Sequence, residues 1–253
     1  MTKNFRDRLH TGEQLLGTWL KTPSSILCEV LGRSELDVVC IDAEHAPFDR
    51  VEQDRCIHAL NSAGMDALVR VPAARPEYIL SALDCGATGV VVPHVLSASQ
   101  AGEMVEAAHF GAGGRGYAGS SRSAKYTGKG IAEHLTDSAA RTTVVLQIED
   151  LDAVECIDEI AAVDRVDCLF IGRIDLTVAL GAQSPKSDEV VTTVERICAA
   201  GKAAGVPVGM FLGDLTELPY WQAAGANLFI LSSDHGFLLQ GAAQLVSDFR
   251  KAR

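Results

Sequence analysis

Short apolar, β-branched runs recur along the chain at intervals of roughly 20 to 30 residues. In the first half they cover residues 15–21 (LLGTWLK), 36–45 (LDVVCIDAEH), 66–72 (DALVRVP) and 88–95 (TGVVVPHV). In the second half they cover 142–150 (TTVVLQIED), 167–176 (DCLFIGRIDL), 206–213 (VPVGMFLG) and 226–234 (ANLFILSSD). The runs are near-continuously apolar rather than alternating, the pattern of strands covered on both faces. Helical periodicity fills segments between them, at 76–85, 98–108, 151–162, 189–204 and 215–224. Eight strands alternating with helices predict a (β/α)8 TIM barrel spanning residues 1–253 as one domain. An open doubly wound sheet is the runner-up, disfavoured because no G-x-G-x-x-G follows the first strand.

One connection breaks the rhythm. Residues 109–141 are glycine- and serine-rich and carry Arg115, Arg122, Lys125 and Lys129. A loop of that length in a compact domain is usually functional or disordered.

Composition narrows the functional classes. The chain has 253 residues, and a barrel of this type needs about 250. A formal net charge of -11 argues against a nucleic-acid or anionic-membrane surface. No apolar run reaches the roughly 18 residues of a membrane span, and the polar start MTKNFRDRLHTG has no signal core. The seven cysteines are odd in number and form no C-x-x-C pair, which reads as reduced core thiols rather than a disulfide or zinc framework. A soluble cytoplasmic protein is the expectation.

In a barrel of this kind chemistry sits at the carboxyl ends of the strands. Here those ends carry Asp42, Glu44 and His45, then Arg70, then His94, then Gln147, Glu149 and Asp150, then Arg173 and Asp175, then Leu212 and Asp214. Glu149 and Asp175 end neighbouring strands, where strands about 5 Å apart would let two carboxylates share one cation. Oxygen donors suit Mg²⁺ or Mn²⁺. The competing reading is helix capping, since Asp150 and Asp175 precede candidate helices. Arg70 must be paired or face a solvated cleft, and a structural ion pair would serve equally well. His45 is either a general base or a hydrogen-bonded loop residue. His94 has a weaker claim to catalysis. A Schiff-base lysine would have to be Lys21, the one lysine that ends a strand.

The pieces GTWLKTPS, DVVCIDAEHAPFD, LVRVP, LDCGATGVVVPHV, GGRGYAG, VVLQIED and FIGRIDLTVALG occur in an order and spacing that resemble a known family from about residue 14 to the C-terminus. It is the metal-dependent (class II) pyruvate aldolases of the 4-hydroxy-2-oxoheptanedioate and 2-dehydro-3-deoxyglucarate aldolase type. The resemblance implies a barrel of the phosphoenolpyruvate/pyruvate-domain type. It implies metal-binding carboxylates at Glu149 and Asp175, with Mg²⁺, Mn²⁺ or Co²⁺ as the cofactor. It implies an arginine beside the enolate oxygen at Arg70, a histidine base at His45, and Asp84 as the aspartate that orients that histidine. Gln147, Gly172 and Ile174 match positions lining the 2-oxo acid site, and Leu212 an apolar wall. The products would be pyruvate and an aldehyde, in aromatic or sugar-acid catabolism. The assembly implied is a homohexamer, a trimer of dimers that exchange the C-terminal helix, here about GFLLQGAAQLVSDFRKA.

Two positions depart from the family. It commonly has Pro-Ala where this chain has Arg173 and Ile174, and often methionine where this chain has His94. Arg173 near the entrance would favour an acidic aldehyde; its alternative is a surface ion pair. Two further readings compete with the aldolase. One is a malyl- or citramalyl-CoA-type lyase, and the other is a barrel that binds a 2-oxo acid without turnover.

Overall fold

Each of the eight apolar runs forms a strand in the computed structural model, which describes residues 3–252. They are β1 (Leu15–Leu20), β2 (Val38–Asp42), β3 (Asp66–Arg70), β4 (Gly89–Val92), β5 (Thr143–Ile148), β6 (Cys168–Ile171), β7 (Val208–Met210) and β8 (Ala226–Ser233). Every neighbouring pair is parallel, and β8 returns to β1, so the sheet closes in sequence order. The fold is the (β/α)8 barrel expected from the sequence.

Two apolar clusters explain why the strands lack simple alternation. Val39, Ile41, Val69, Leu146, Ile148 and Ile171 belong to the outer layer between strands and helices. Val38, Cys40, Leu68, Val91, Val145, Cys168 and Phe170 belong to a second, inner cluster on the barrel axis. Both faces of each strand are therefore apolar, and successive residues still point in opposite directions. Phe5 and Leu9, from the helix Phe5–His10, join the inner cluster and close the amino end of the barrel. Behind them Asp167 is fully buried, held by Arg6 Nε at 2.6 Å, His10 Nε2 at 2.8 Å and the amide of Val144 at 2.8 Å.

The helices follow the expected periodicity with three differences. The segment 151–162 is two short helices, Leu151–Glu155 and Ile157–Ala161, broken at Cys156, whose Sγ turns back to the carbonyls of Asp152 and Leu96. The segment 215–224 begins as a 3₁₀ turn, Leu215–Glu217, before the helix Leu218–Ala223. The presumed loop at 109–141 ends in a helix, Ile131–Arg141, whose one buried residue is His134. The last helix, Asp234–Lys251, leaves Leu238, Leu239 and Leu245 exposed, so its apolar face is not covered within the chain. All seven cysteines are free thiols, six of them buried. Among the described residues no helix is long and apolar enough to cross a membrane.

Candidate active site

Strand parity builds the site. Continuing the inner positions of each strand toward its carboxyl end gives Asp42 after Cys40, Arg70 after Leu68, Gln147 and Glu149 after Val145, and Gly172 after Phe170. The barrel axis is thus apolar through the inner cluster and turns polar at one end.

The floor is a buried charge network. Arg70 is 7% exposed and lies over the Trp19 ring, with Cζ 4.4 Å from the ring centroid. Its Nε and Nη2 donate to Asp42 Oδ1 at 3.0 and 2.8 Å, and Nη1 lies 3.3 Å from Glu44 Oε2. Lys21 Nζ reaches Asp42 Oδ2 at 3.0 Å, and the His45 amide donates to Asp42 Oδ1. Burial alone would push the Asp42 carboxyl up. The Arg70 hydrogen bonds and charge, the His45 amide and Lys21 outweigh it and hold it below the ordinary range. Lys21 is committed to this ion pair, which argues against a free amine for Schiff-base chemistry.

Glu149 stands beside this network and is 3% exposed. Its Oε2 accepts a short hydrogen bond from Gln147 Nε2, and its Oε1 accepts from the His94 amide at 3.0 Å. Burial raises its carboxyl above the usual carboxylate range; those two donors and the His94 ring pull it down, and Asp175 adds to the upward push. Such a carboxylate lacks a compensating positive charge, which a bound cation supplies.

Glu149 and Asp175 converge. A β-carbon added at Gly172 would lie 2.6 Å from Glu149 Cβ, 2.8 Å from Glu149 Oε2 and 3.4 Å from Asp175 Oδ2. Gly172 is thus needed because the Glu149 side chain occupies the space a side chain would take. Asp175 sits in the first turn of the helix Arg173–Ala179 rather than capping it, and its side chain is open to the mouth. Asp150 occupies an N-cap position but makes no side-chain cap bond; its carboxylate binds His94 Nδ1 at 2.9 Å instead. The capping alternative therefore accounts for neither carboxylate. One ligand atom each from Glu44, His94 and Glu149 lie within 4.8 Å of one another. The donor set of Glu149, Asp175 and their neighbours fits a divalent cation.

His45 is exposed at the mouth, with Nε2 3.7 Å from Glu44 Oε2. Asp84 is not beside it. Asp84 ends the helix Pro76–Asp84, which feeds the amino end of β4, whereas His45 follows the carboxyl end of β2. The two are on opposite barrel faces, separated by roughly 15 Å, the length of a five-residue strand. Asp84 instead pairs with Arg115 through a short contact. Within one chain the expected orientation of His45 by Asp84 is therefore not made.

Two other expectations change. Arg173 does not face the entrance: it is 3% exposed, its Nη2 donates to Glu217 Oε2 at 2.8 Å and to the Pro185 carbonyl at 3.0 Å, and its Cζ lies 5.0 Å from the Trp221 ring centroid. It is an ion pair, but a buried one. Leu212 is buried in the outer apolar layer; its neighbour Phe211 packs against the inner cluster and offers the apolar wall toward the axis. Ile174, by contrast, is 53% exposed at the mouth beside Asp175. Sequence reasoning undervalued Glu44 and His94, which the fold brings to Glu149. Strand-end position was their available signal, and it did not separate them from ordinary loop residues.

Comparison with known proteins agrees with this geometry. Residues 15–240 match the family model described as HpcH/HpaI aldolase/citrate lyase. A hydroxypyruvate/pyruvate aldolase of Roseobacter denitrificans is 34% identical, covering 98% of this chain and 97% of its own length. A 2-dehydro-3,6-dideoxy-6-sulfogluconate aldolase of Pseudomonas putida is 32% identical over 91% of each chain. The crystal structure of an HpcH/HpaI aldolase/citrate lyase family protein from Burkholderia cenocepacia superposes with a TM-score of 0.91 at 34% identity, over 98% of this chain and 100% of that one.

Proposed function

The chain belongs to the HpcH/HpaI aldolase/citrate lyase family of aldehyde-lyase enzymes, and we propose that it is a divalent-metal-dependent pyruvate aldolase. The reaction is reversible cleavage of a 4-hydroxy-2-oxo acid to pyruvate and an aldehyde. The observation that carries this reading is that Glu149 Oε2 and Asp175 Oδ2 lie within 2.8 and 3.4 Å of the same point, the place of a β-carbon at Gly172, while Glu44 bridges Glu149 to the guanidinium of Arg70.

Glu149 and Asp175 would hold the cation, which when bound supplies Lewis acidity to the keto and carboxylate oxygens of the 2-oxo acid. Arg70, fixed by Asp42 and Trp19, donates to the oxygen that gains charge as the C3–C4 bond breaks. Its geometry is set before substrate arrives, so little reorganisation accompanies charge development. His45 takes the proton of the 4-hydroxyl as the aldehyde forms, and a proton returned to C3 completes pyruvate. Gln147, by holding Glu149 Oε2, keeps that carboxylate turned toward Asp175. Gly172 and Ile174 border the space a 2-oxo acid would occupy. The assembly we propose is a homohexamer of dimers exchanging the helix Asp234–Lys251, which would cover its apolar face. In such an assembly Asp84 could reach a His45 only of another subunit.

The test is pyruvate release from a panel of 4-hydroxy-2-oxo acids, with and without a chelator. Release that stops on metal removal, returns with Mg²⁺, Mn²⁺ or Co²⁺, and is lost in Glu149→Ala supports the reading. Release that survives exhaustive metal removal refutes metal dependence. Tight pyruvate binding with no release from any substrate would favour a non-catalytic 2-oxo-acid barrel.

A further inference from the structure

Carboxylate oxygens alone make a hard site, indifferent among Mg²⁺, Mn²⁺ and Co²⁺. This chain adds a nitrogen. We propose that His94 is an imidazole ligand of the cation held at Glu149, giving a mixed nitrogen–oxygen site that prefers first-row transition metals to Mg²⁺. This rests on the metal-dependent reading above and names the metal class for that same site.

The backbone sets up the contact. His94 follows Pro93 just beyond β4 and has a φ of 52°, in the left-handed region that non-glycine residues seldom adopt. In that conformation its amide donates to Glu149 Oε1 at 3.0 Å, and its ring lies on the same side, with Nδ1 3.4 Å from the same oxygen. The main chain of His94 is thus bound to Glu149, and its ring stands among the carboxylates of Glu44, Glu149 and Asp150.

The ring is oriented as metal-bound histidines are. A ligating histidine usually gives its second N–H to a carboxylate, which fixes the tautomer and makes the free nitrogen a better donor. Here Nδ1 lies 2.9 Å from Asp150 Oδ2, so the tautomer that satisfies this pair carries its hydrogen on Nδ1. The lone pair is then on Nε2, which lies 3.5 Å from Glu44 Oε1. Nitrogen and oxygen ligands at about 2.0–2.2 Å from one ion are roughly 3–4 Å apart, close to the spacing these side chains already have.

Two buried oxygens on side chains that touch Glu149 or its neighbours lack hydrogen-bond partners. Glu44 Oε2 accepts none, although Arg70 Nη1 is 3.3 Å away, and Gln147 Oε1 has none with its residue only 2% exposed. Buried polar atoms of this kind are usually satisfied, so each has room for a further partner in the polar end of the barrel. The ring itself is half exposed at the mouth and can adjust its reach without disturbing the barrel.

The test reads the ligand directly. Metal-stripped full-length protein is loaded with Mn²⁺ and studied by pulsed electron paramagnetic resonance, which detects coupling to a coordinated ¹⁴N. The wild type should show that coupling. His94→Asn, whose side chain tolerates a positive φ, should bind Mn²⁺ without it. Calorimetric titration should show Co²⁺ binding weakened about 10- to 100-fold in His94→Asn, and Mg²⁺ binding by less than about threefold. Mn²⁺ bound to the wild type with no nitrogen coupling would overturn the assignment while leaving metal dependence intact. Coupling that persists in His94→Asn would overturn it in favour of His45. Failure of the wild type to bind any divalent cation would remove both this ligand and the metal-dependent reading.

Discussion

Replacing Arg173 with methionine separates a structural arginine from a substrate-selecting one. The guanidinium is buried between Glu217, the Pro185 carbonyl and the Trp221 ring. Removing one member of a buried pair costs about 3–5 kcal/mol when the partner charge is stranded. Glu217 is not fully stranded: Trp221 Nε1 is 3.3 Å from Oε2, Lys186 Nζ is 4.0 Å from Oε1, and its side chain is 18% exposed. That argues for the lower end. The hydrogen bond to Pro185 adds about 1 kcal/mol and the ring contact about 0.5–1 kcal/mol, while methionine keeps most of the packing. A net loss of about 4.5–5 kcal/mol is expected, and at about 2–4 °C per kcal/mol for a chain of this size the Tm should fall by about 9–20 °C. Because the charge points away from the mouth, kcat/KM for acidic relative to neutral aldehydes should change by less than about twofold, well under 1 kcal/mol. Adding Glu217→Gln to Arg173→Met should cost less than the sum of the single changes, since the two groups touch. A Tm within about 2 °C of wild type, below 1 kcal/mol on the same scale, would refute the burial argument. So would a loss of about tenfold or more, 1.4 kcal/mol, in preference for acidic aldehydes.

Other tests bear on the metal site and on acid stability. Burial raises the Glu149 carboxyl above its ordinary 4.5, so its favourable contribution exists below that pH and is lost as pH rises through the folded value. Glu149→Gln should therefore raise the Tm of the metal-free protein at pH 7, with the gain vanishing below about pH 4.5 and the order reversing once Mn²⁺ is added; calorimetry checks all three. Gly172→Ala would set a β-carbon 2.6 Å from Glu149 Cβ, so metal affinity should fall at least about tenfold with a stability loss of about 1–3 kcal/mol, measured by titration and denaturant melts. Burial lowers His109 from 6.5 to about 4, with Arg165 adding to the effect; the stability this lends is complete above pH 6.5 and drains as pH falls toward 4. His109→Gln should flatten the decline of Tm between those pH values, by up to about 3 kcal/mol, and an unchanged slope would show that His109 takes up its proton in the folded protein as readily as in the unfolded chain.

Residues were legible in the sequence where one local rule governed them. Doubly covered strands must be apolar, so β1 to β8 could be read from composition alone, and strand ends marked Arg70, Gln147, Glu149 and Asp175 as candidates. The same rule, applied to the opposite barrel face, excludes an Asp84–His45 contact within one chain: a residue that ends the helix before β4 lies at the amino face, whatever role a resemblance implies for it. The helix Ile131–Arg141 was hidden for another reason. It buries only His134 and leaves Ile131 and Leu135 exposed, so its apolar residues do not mark a core face, and its position depends on contacts such as that of His134 with Phe110 and Tyr117.

Arg173 and His94 show where local rules stop. Alternation along β6 ends at Gly172, where the chain turns into a helix, so parity no longer says which way Arg173 points. Its direction is decided by Glu217 and Trp221, remote in sequence and brought in after β7. His94 likewise gains its meaning from Glu149 and Asp150, one strand further round the barrel, and from a left-handed turn that residue type alone does not announce. Both are positions where the family resemblance leads one to expect other residues, and their surroundings differ in kind. Arg173 faces Glu217 and Trp221, outside the proposed ligand set, so its substitution belongs to the architecture of the outer layer. His94 faces Glu149, Asp150 and Glu44 inside the site, so its substitution bears on the chemistry, and differences in metal preference from relatives should follow His94 rather than Arg173.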